Sequence, residues 1–229
     1  MRPIVYLGPT LPRQEAARLL EADFRPPVRR GDLPRRYGGT VVIIDGEFGQ
    51  SLSVSPNEIL RLLDTGTRVL GAASMGALRA AELHPLGMEG HGWVFEAYRT
   101  GLVEADDEVA LLYSPPDMRP LTVPLINARA WLYDLQAARE VDACTARVLL
   151  RRARRIFFAD RTEPRLRAEW VEVVGEPELR RLLRLRPRGI TDIKAEDARV
   201  VLRAARHPNG RGDQSWTQRG ASRAAASPS

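Results

Sequence analysis

Arg68-Val69-Leu70-Gly71-Ala72-Ala73, then Ser74, then Met75-Gly76-Ala77-Leu78-Arg79-Ala80-Ala81-Glu82-Leu83, is the stretch that decides the fold. An apolar run of strand length passes through one polar residue into a helix-forming segment, the junction expected at the carboxyl end of a parallel strand. The same unit recurs toward the amino terminus. Ser55-Pro56-Asn57-Glu58 is a capping box with proline at the first helical position. Ile59, Leu60, Leu62 and Leu63 supply the buried side of that helix, and Gly66 is placed to stop it. Ahead of it, Thr40-Val41-Val42-Ile43-Ile44 is continuous and apolar, as a strand buried on both faces should be, and it ends in Asp45-Gly46. Ile4-Val5-Tyr6-Leu7 is a further strand ending in Gly8-Pro9-Thr10, with Thr10 read as the N-cap of a helix over about 11–22.

The order β-α-β-α-β-α implies an α/β fold: a small, mostly parallel sheet with flanking helices in the first part. The three strand ends, Gly8-Pro9-Thr10, Asp45-Gly46 and Ala73-Ser74-Met75-Gly76, should converge on one edge of the sheet. Past Pro85, Gly87-Met88-Glu89-Gly90 reads as a turn-rich link to a short helix from Trp93 to Thr100. Asp106-Asp107-Glu108 leads into Val109–Tyr113, which fits a strand or a buried helical turn equally well, and Leu121–Pro124 suggests another strand. From Asn127 onward the pattern is a mainly helical C-terminal part, with helices over about 127–139, 143–158, 163–174, 177–186 and 192–206. The expected division is an α/β core over 1–125, a helical part over 126–206 that completes the domain, and a disordered basic tail over 207–229.

No apolar run approaches the ~18 residues a membrane span needs. Met1 runs directly into a strand, so no signal peptide is expected and the expected location is cytoplasmic. The single cysteine, Cys144, cannot form an internal disulfide. Three scattered histidines lack zinc spacing, and neither GxxxxGK[ST] nor GxGxxG occurs, so neither metal nor cofactor is expected. Charge is uneven: residues 1–145 carry 15 basic and 19 acidic side chains, residues 146–229 carry 20 and 10. Arginines 147, 151, 152, 154 and 155 crowd one helix, and Arg180, Arg181, Arg184 and Arg186 another. A basic second part suits nucleic acid, an anionic surface or an acidic protein, or is simply a solvated face. No RNP, zinc or helix-turn-helix signature accompanies it, so nucleic acid is not the expected partner.

Ser74 carries the strongest chemical signal. A serine between an apolar strand and a helix, with Gly76 two residues on, is a relaxed nucleophile elbow in which Ala72 stands where glycine is usual. The turn would lift the hydroxyl out of the sheet, and the Met75 and Gly76 N–H groups at the helix start could hold an oxyanion. The alternative is that Ser74 only caps the helix. His84, His91 and His207 are not aimed at it by any sequence feature. Lys194 is the one lysine among 35 basic residues, the other 34 being arginine. Lysine can give up its proton where arginine cannot, and the start of a helix disfavours an ammonium. A serine activated by such a lysine is a workable nucleophile, unless Lys194 is chance in an arginine-rich composition. Asp45, at a strand end, is the acidic residue most expected to face the site.

These residues resemble the TfuA family. The resemblance is carried by Gly8-Pro9-Thr10-Leu11, Asp45-Gly46 with Phe48, Ser55–Leu60, Gly71–Leu83, Gly87-Met88 with Gly90, and Asp106–Ala110, in the family's order over about 3–125. A looser match, Asp192-x-Lys194-x-x-Asp197-Ala198, is similar to a lysine motif further on. The resemblance implies a partner of YcaO enzymes, which convert a peptide backbone amide into a thioamide. It implies hydrolysis of the C-terminal thiocarboxylate of a ThiS-like sulfur carrier, delivering sulfide to YcaO, and help in engaging the peptide substrate. It also implies a serine–lysine site, which falls here on Ser74 and Lys194. Met75, Gly76 and Arg79 would then stabilise charge, with Thr10 and Asp45 at the substrate. The glycines at 8, 46, 71 and 76 would let a carrier tail approach the backbone. The other reading is a non-catalytic adaptor that brings carrier and peptide to YcaO. The basic helices between 147 and 186 are the expected YcaO-facing surface.

Overall fold

The computed structural model describes residues 1–49, 52–185 and 189–207 of the 229-residue chain. All of the expected basic tail except His207 therefore lies outside the described residues, as does Arg186. The described chain forms two compact units. The first comprises Met1–Glu104 together with the described residues 194–207; the second begins at Ala105 and runs to Ile193. The first unit thus leaves off at Glu104 and resumes at Lys194.

In the first unit, β1 (Ile4–Tyr6), β2 (Asp23–Arg25), β3 (Thr40–Ile43), β4 (Arg68–Ala72) and β5 (Glu89–His91) make one sheet. Their spatial order is β2-β1-β3-β4-β5 and every ladder is parallel, with Ile4 opposite Val41, Val41 opposite Val69 and Leu70 opposite Glu89. The parallel sheet expected from the sequence is present. Two of its strands were not legible. β2 offers one apolar residue in three, enough at an edge where only one neighbour must be paired. β5 replaces the expected turn-rich link, its Gly90 leaving room for the Phe95 ring, which a Cβ there would meet at 2.1 Å.

Helices cover both faces. On one lie α2 (Pro56–Asp64) and α3 (Met75–Leu83), on the other α1 (Arg13–Leu19) and α9 (Ile193–Ala204). The Ser55–Glu58 capping box forms, the Glu58 carboxylate accepting the Ser55 N–H at 2.9 Å and the Gly31 N–H at 2.6 Å. α1 is shorter than expected: it starts at Arg13 after Pro12 and stops where Leu20 turns extended. Thr10 is not its cap. α4 (Trp93–Arg99) follows β5 directly.

α9 is the element that sequence order hides. Ala195, Ala198, Val201 and Leu202 pack in one apolar cluster with Val5, Leu7, Val42, Ile44, Leu70 and Ala72 from the sheet. Small residues at 195 and 198 let the helix sit close on the strands. Asp197, fully buried, reaches α4 and accepts the N–H groups of Trp93 (2.9 Å) and Val94 (2.7 Å). α4 has glycine at its N-cap, φ 93°, so its cap is supplied from another helix. A Cβ at Gly92 would lie 2.2 Å from that carboxyl carbon.

The second unit is helical apart from a two-residue antiparallel ladder, β6 (Tyr113–Ser114) with β7 (Arg119–Pro120). Leu121–Pro124 does not form the expected strand, because the Thr122 hydroxyl takes the Leu112 N–H at 2.8 Å and Val123 bonds Arg161. Asp106–Val109 is a 3-10 turn, which settles the undecided reading of 109–113 in favour of a short turn followed by β6. Four helices follow: α5 (Leu125–Ala137), α6 (Ala143–Arg155), α7 (Glu163–Val174) and α8 (Glu176–Arg184). They pack around Trp131 and Trp170, stacked at 5.0 Å between ring centres. Arg161 is buried and closes the end of α6, donating to the carbonyls of Ala153 (3.1 Å) and Ile156 (2.8 Å).

Candidate functional site

Because the strands are parallel and in register, the ends of β1, β3 and β4 lie side by side, as the sequence implies. The bonds between them are specific. One Asp45 oxygen accepts the N–H of Gly8 (2.8 Å) and of Thr10 (3.2 Å), and the other takes the Thr10 hydroxyl at 2.5 Å. Asp45 and Thr10, both buried, therefore engage each other and stitch β1 to β3.

One strand further on stands Ser74. The preceding Ala73 has φ 68°, and the Ser74 N–H donates to the Ala72 carbonyl two residues back at 2.7 Å. This is a γ-turn of the rarer, positive-φ kind, strained for a residue with a Cβ by about 1–3 kcal/mol. It turns the chain from β4 into α3 within a single residue. Ser74 occupies the N-cap position of α3, yet its hydroxyl makes no capping hydrogen bond. The capping alternative weighed for Ser74 is thus not realised. The serine is 2% exposed.

The open N–H groups at this helix start are fewer than expected. Gly76 donates to the Ile44 carbonyl at 3.3 Å, so its amide is not open to an oxyanion. Ala77 and Leu78 both donate to the Ser74 carbonyl. Met75 N–H alone at this corner has no acceptor among the described residues. Arg79 is also committed: Nε donates to the Val54 carbonyl at 3.0 Å and Nη1 to both Glu82 oxygens at 2.8 and 2.7 Å. It braces α3 on the segment leading into α2.

The glycines lie where neighbouring atoms approach the backbone closely. A Cβ at Gly76 would fall 1.8 Å from the Ile43 carbonyl oxygen, and one at Gly71 would fall 2.1 Å from the Gly76 oxygen. Cβ atoms at Gly8 and Gly46 would meet Pro27 (2.5 Å) and Met75 (2.7 Å). At Gly46, Gly71 and Gly76 this close approach holds α3 against β3 and β4, while Gly8 lies against Pro27.

Lys194 is the second residue of α9, 2% exposed, in the same unit as Ser74. Ala73 and Ala195, the chain neighbours of the two residues, share one apolar cluster. Neither Lys194 nor Asp197 is without a partner. Asp197 is the residue that sequence reasoning passed over: it was legible as part of the lysine motif, but its target, the start of α4, was not. The acidic turn at 106–108 serves structure in the second unit, with buried Glu108 gripping Arg129, Nε to Oε2 at 2.8 Å. Among the described residues no group of histidine, cysteine and carboxylate side chains is suited to a metal ion. No described helix is long and apolar enough to cross a membrane.

A family model described as TfuA-like protein matches residues 45–162, half of the chain. The match contains Asp45, Ser74, Met75, Gly76 and Arg79 and stops short of Thr10 and Lys194. No curated protein matches.

Proposed function

The chain belongs to the family of TfuA-like proteins, and from that premise we propose that it hydrolyses the C-terminal thiocarboxylate of a ThiS-like sulfur carrier and so supplies sulfide to a partner YcaO enzyme making thioamides in a ribosomal peptide. The observation that carries the reading is the corner at 73–75. A strained turn presents Ser74 with its hydroxyl unused in capping, beside the open Met75 N–H.

In the proposed step, Ser74 Oγ attacks the thiocarboxylate carbon and Lys194 takes its proton. The tetrahedral oxyanion is held by the Met75 amide at the positive end of α3. Collapse breaks the C–S bond, sulfide leaves with the proton from Lys194, and an ester to Ser74 remains. Water then cleaves the ester, so the balance is thiocarboxylate plus water giving carboxylate plus hydrogen sulfide. No redox partner is needed.

The test is sulfide release from thiocarboxylated carrier by purified protein. Ser74→Ala should lower the rate by about 10³-fold or more. Lys194→Met should do the same while abolishing the pH dependence of the step. Equal release by wild type and Ser74→Ala refutes the hydrolase. The adaptor reading has one observation of its own, the 2% exposure of Ser74, which leaves the hydroxyl little contact with solvent. It expects no sulfide release from either protein and undiminished recruitment of carrier and peptide to YcaO by Ser74→Ala.

A further inference from the structure

α6 carries a feature unlike the rest of the second unit. Arg147, Arg151, Arg154 and Arg155 are all exposed. At 100° per residue they fall within an arc of about 100° on the helix and span about 12 Å of its length. None has a carboxylate within ion-pair distance among the described residues. Most other described arginines of the unit are paired, the exceptions being Arg139, Arg161 and Arg184. Arg152, on the next face of the same helix, meets Glu169 at 3.2 Å. Arg167 meets Glu163 at 2.6 Å, Arg180 meets Glu176 at 2.8 Å, and Arg181 meets Glu140 at 2.7 Å. Four like charges on one stripe repel one another. An anionic partner removes that repulsion.

An apolar group follows the stripe in the chain. Just past α6, Phe157 is 62% exposed, its ring tilted against Phe158 with centres 4.5 Å apart. A large exposed aromatic two residues after unpaired Arg155 has the composition of an interface anchor. The stripe is short and bounded in the chain by carboxylates, Asp142 at the N-cap and Asp160 after the phenylalanines. A phosphate backbone running on past the arginines would meet those negative groups. A short acidic segment with one apolar side chain would not.

We propose that this face of α6, with Phe157, docks an acidic polypeptide segment bearing an apolar side chain. The site is independent of the hydrolase reading, since it involves neither Ser74 nor Lys194. It also narrows the basic surface expected from sequence, the helices between 147 and 186, to one stripe of α6 without Arg152, which pairs with Glu169.

Cys144, the chain's one cysteine, is exposed and lies within the same arc, so it reports occupancy of the face. The probe is an oligoglutamate peptide carrying one tryptophan, added to the full-length protein. The expected result is salt-sensitive binding, slower alkylation of Cys144 while the peptide is bound, and at least about tenfold weaker binding by Arg151→Glu/Arg155→Glu. Phe157→Ala should weaken the tryptophan peptide more than its alanine counterpart. Arg151→Gln/Arg155→Gln serves where charge reversal disturbs folding. Binding unaffected by these changes overturns the proposal. So does tighter, arginine-dependent binding of a single-stranded oligonucleotide, or self-association of the chain that the same substitutions abolish.

Discussion

Two helices of the first unit begin at the same edge of chemistry and are finished in opposite ways. α4 starts at a glycine with no side chain to offer, and buried Asp197 arrives from α9 to accept its first two N–H groups. α3 starts at Ser74, the residue type best suited to capping, and the hydroxyl makes no cap at all. The first end is closed by a distant residue; the second is left open by the residue already there. A buried helix start without a cap forfeits stability, and this open corner is where the proposed hydrolysis would take place.

Breaking the open end should affect chemistry and spare the fold. Ser74→Ala is expected to lower sulfide release by about 10³-fold or more while thermal unfolding stays within a degree or so of wild type, since no hydrogen bond of the hydroxyl is lost. Crowding the same corner should instead damage the fold: Gly76→Ala puts a Cβ against the Ile43 carbonyl and should cost about 3 kcal/mol or more in urea denaturation. At the closed end, Asp197→Ala leaves two buried N–H groups unsatisfied. It should cost about 2–4 kcal/mol by the same measurement, with amide exchange fastest in the first turn of α4. Relief of the turn is a smaller effect of the opposite sign. Ala73→Gly should stabilise by about 0.5 kcal/mol, the released strain being partly offset by glycine's greater freedom in the unfolded chain.

Another small effect lies away from both helix starts, at the β4–β5 edge. Burial works against ionisation of Glu89, yet His91 at 3.6 Å and the bidentate Arg68 at 2.7 Å outweigh it and hold the carboxyl at about 2. A depressed folded pKa gives stability that is complete above the ordinary carboxylate range and is lost as pH falls from about 4.5 toward about 2. The pair is partly solvated, so the amount is about 1 kcal/mol or less. Glu89→Gln should unfold at a lower temperature than wild type near neutral pH, and the gap should close in that acid window.

Legibility followed the range of the interactions. The strand and helix carrying Ser74 were readable because an apolar run, a single serine and a small-residue helix are local patterns. The Ser55–Glu58 cap was readable for the same reason, and it formed. Glu89–His91 was not readable as a strand, because its pairing depends on β4 lying alongside and on Phe95 filling the space above Gly90. Thr10 was misread as a helix cap because the better partner for its hydroxyl, Asp45, lies 35 residues away. The Gly76 amide was counted as open because nothing local reveals that Ile44 would accept it.

The amino-acid order by itself determined the alternation of strands and helices, the parallel sheet and the serine at the end of β4, because hydrophobic period and turn chemistry act between near neighbours. Tertiary structure alone decided that α9 returns from the end of the chain to cover the sheet, that Asp197 caps α4, and that Ser74 keeps its hydroxyl uncapped. Those outcomes depend on which polar groups are buried together, and burial is a property of the packed chain.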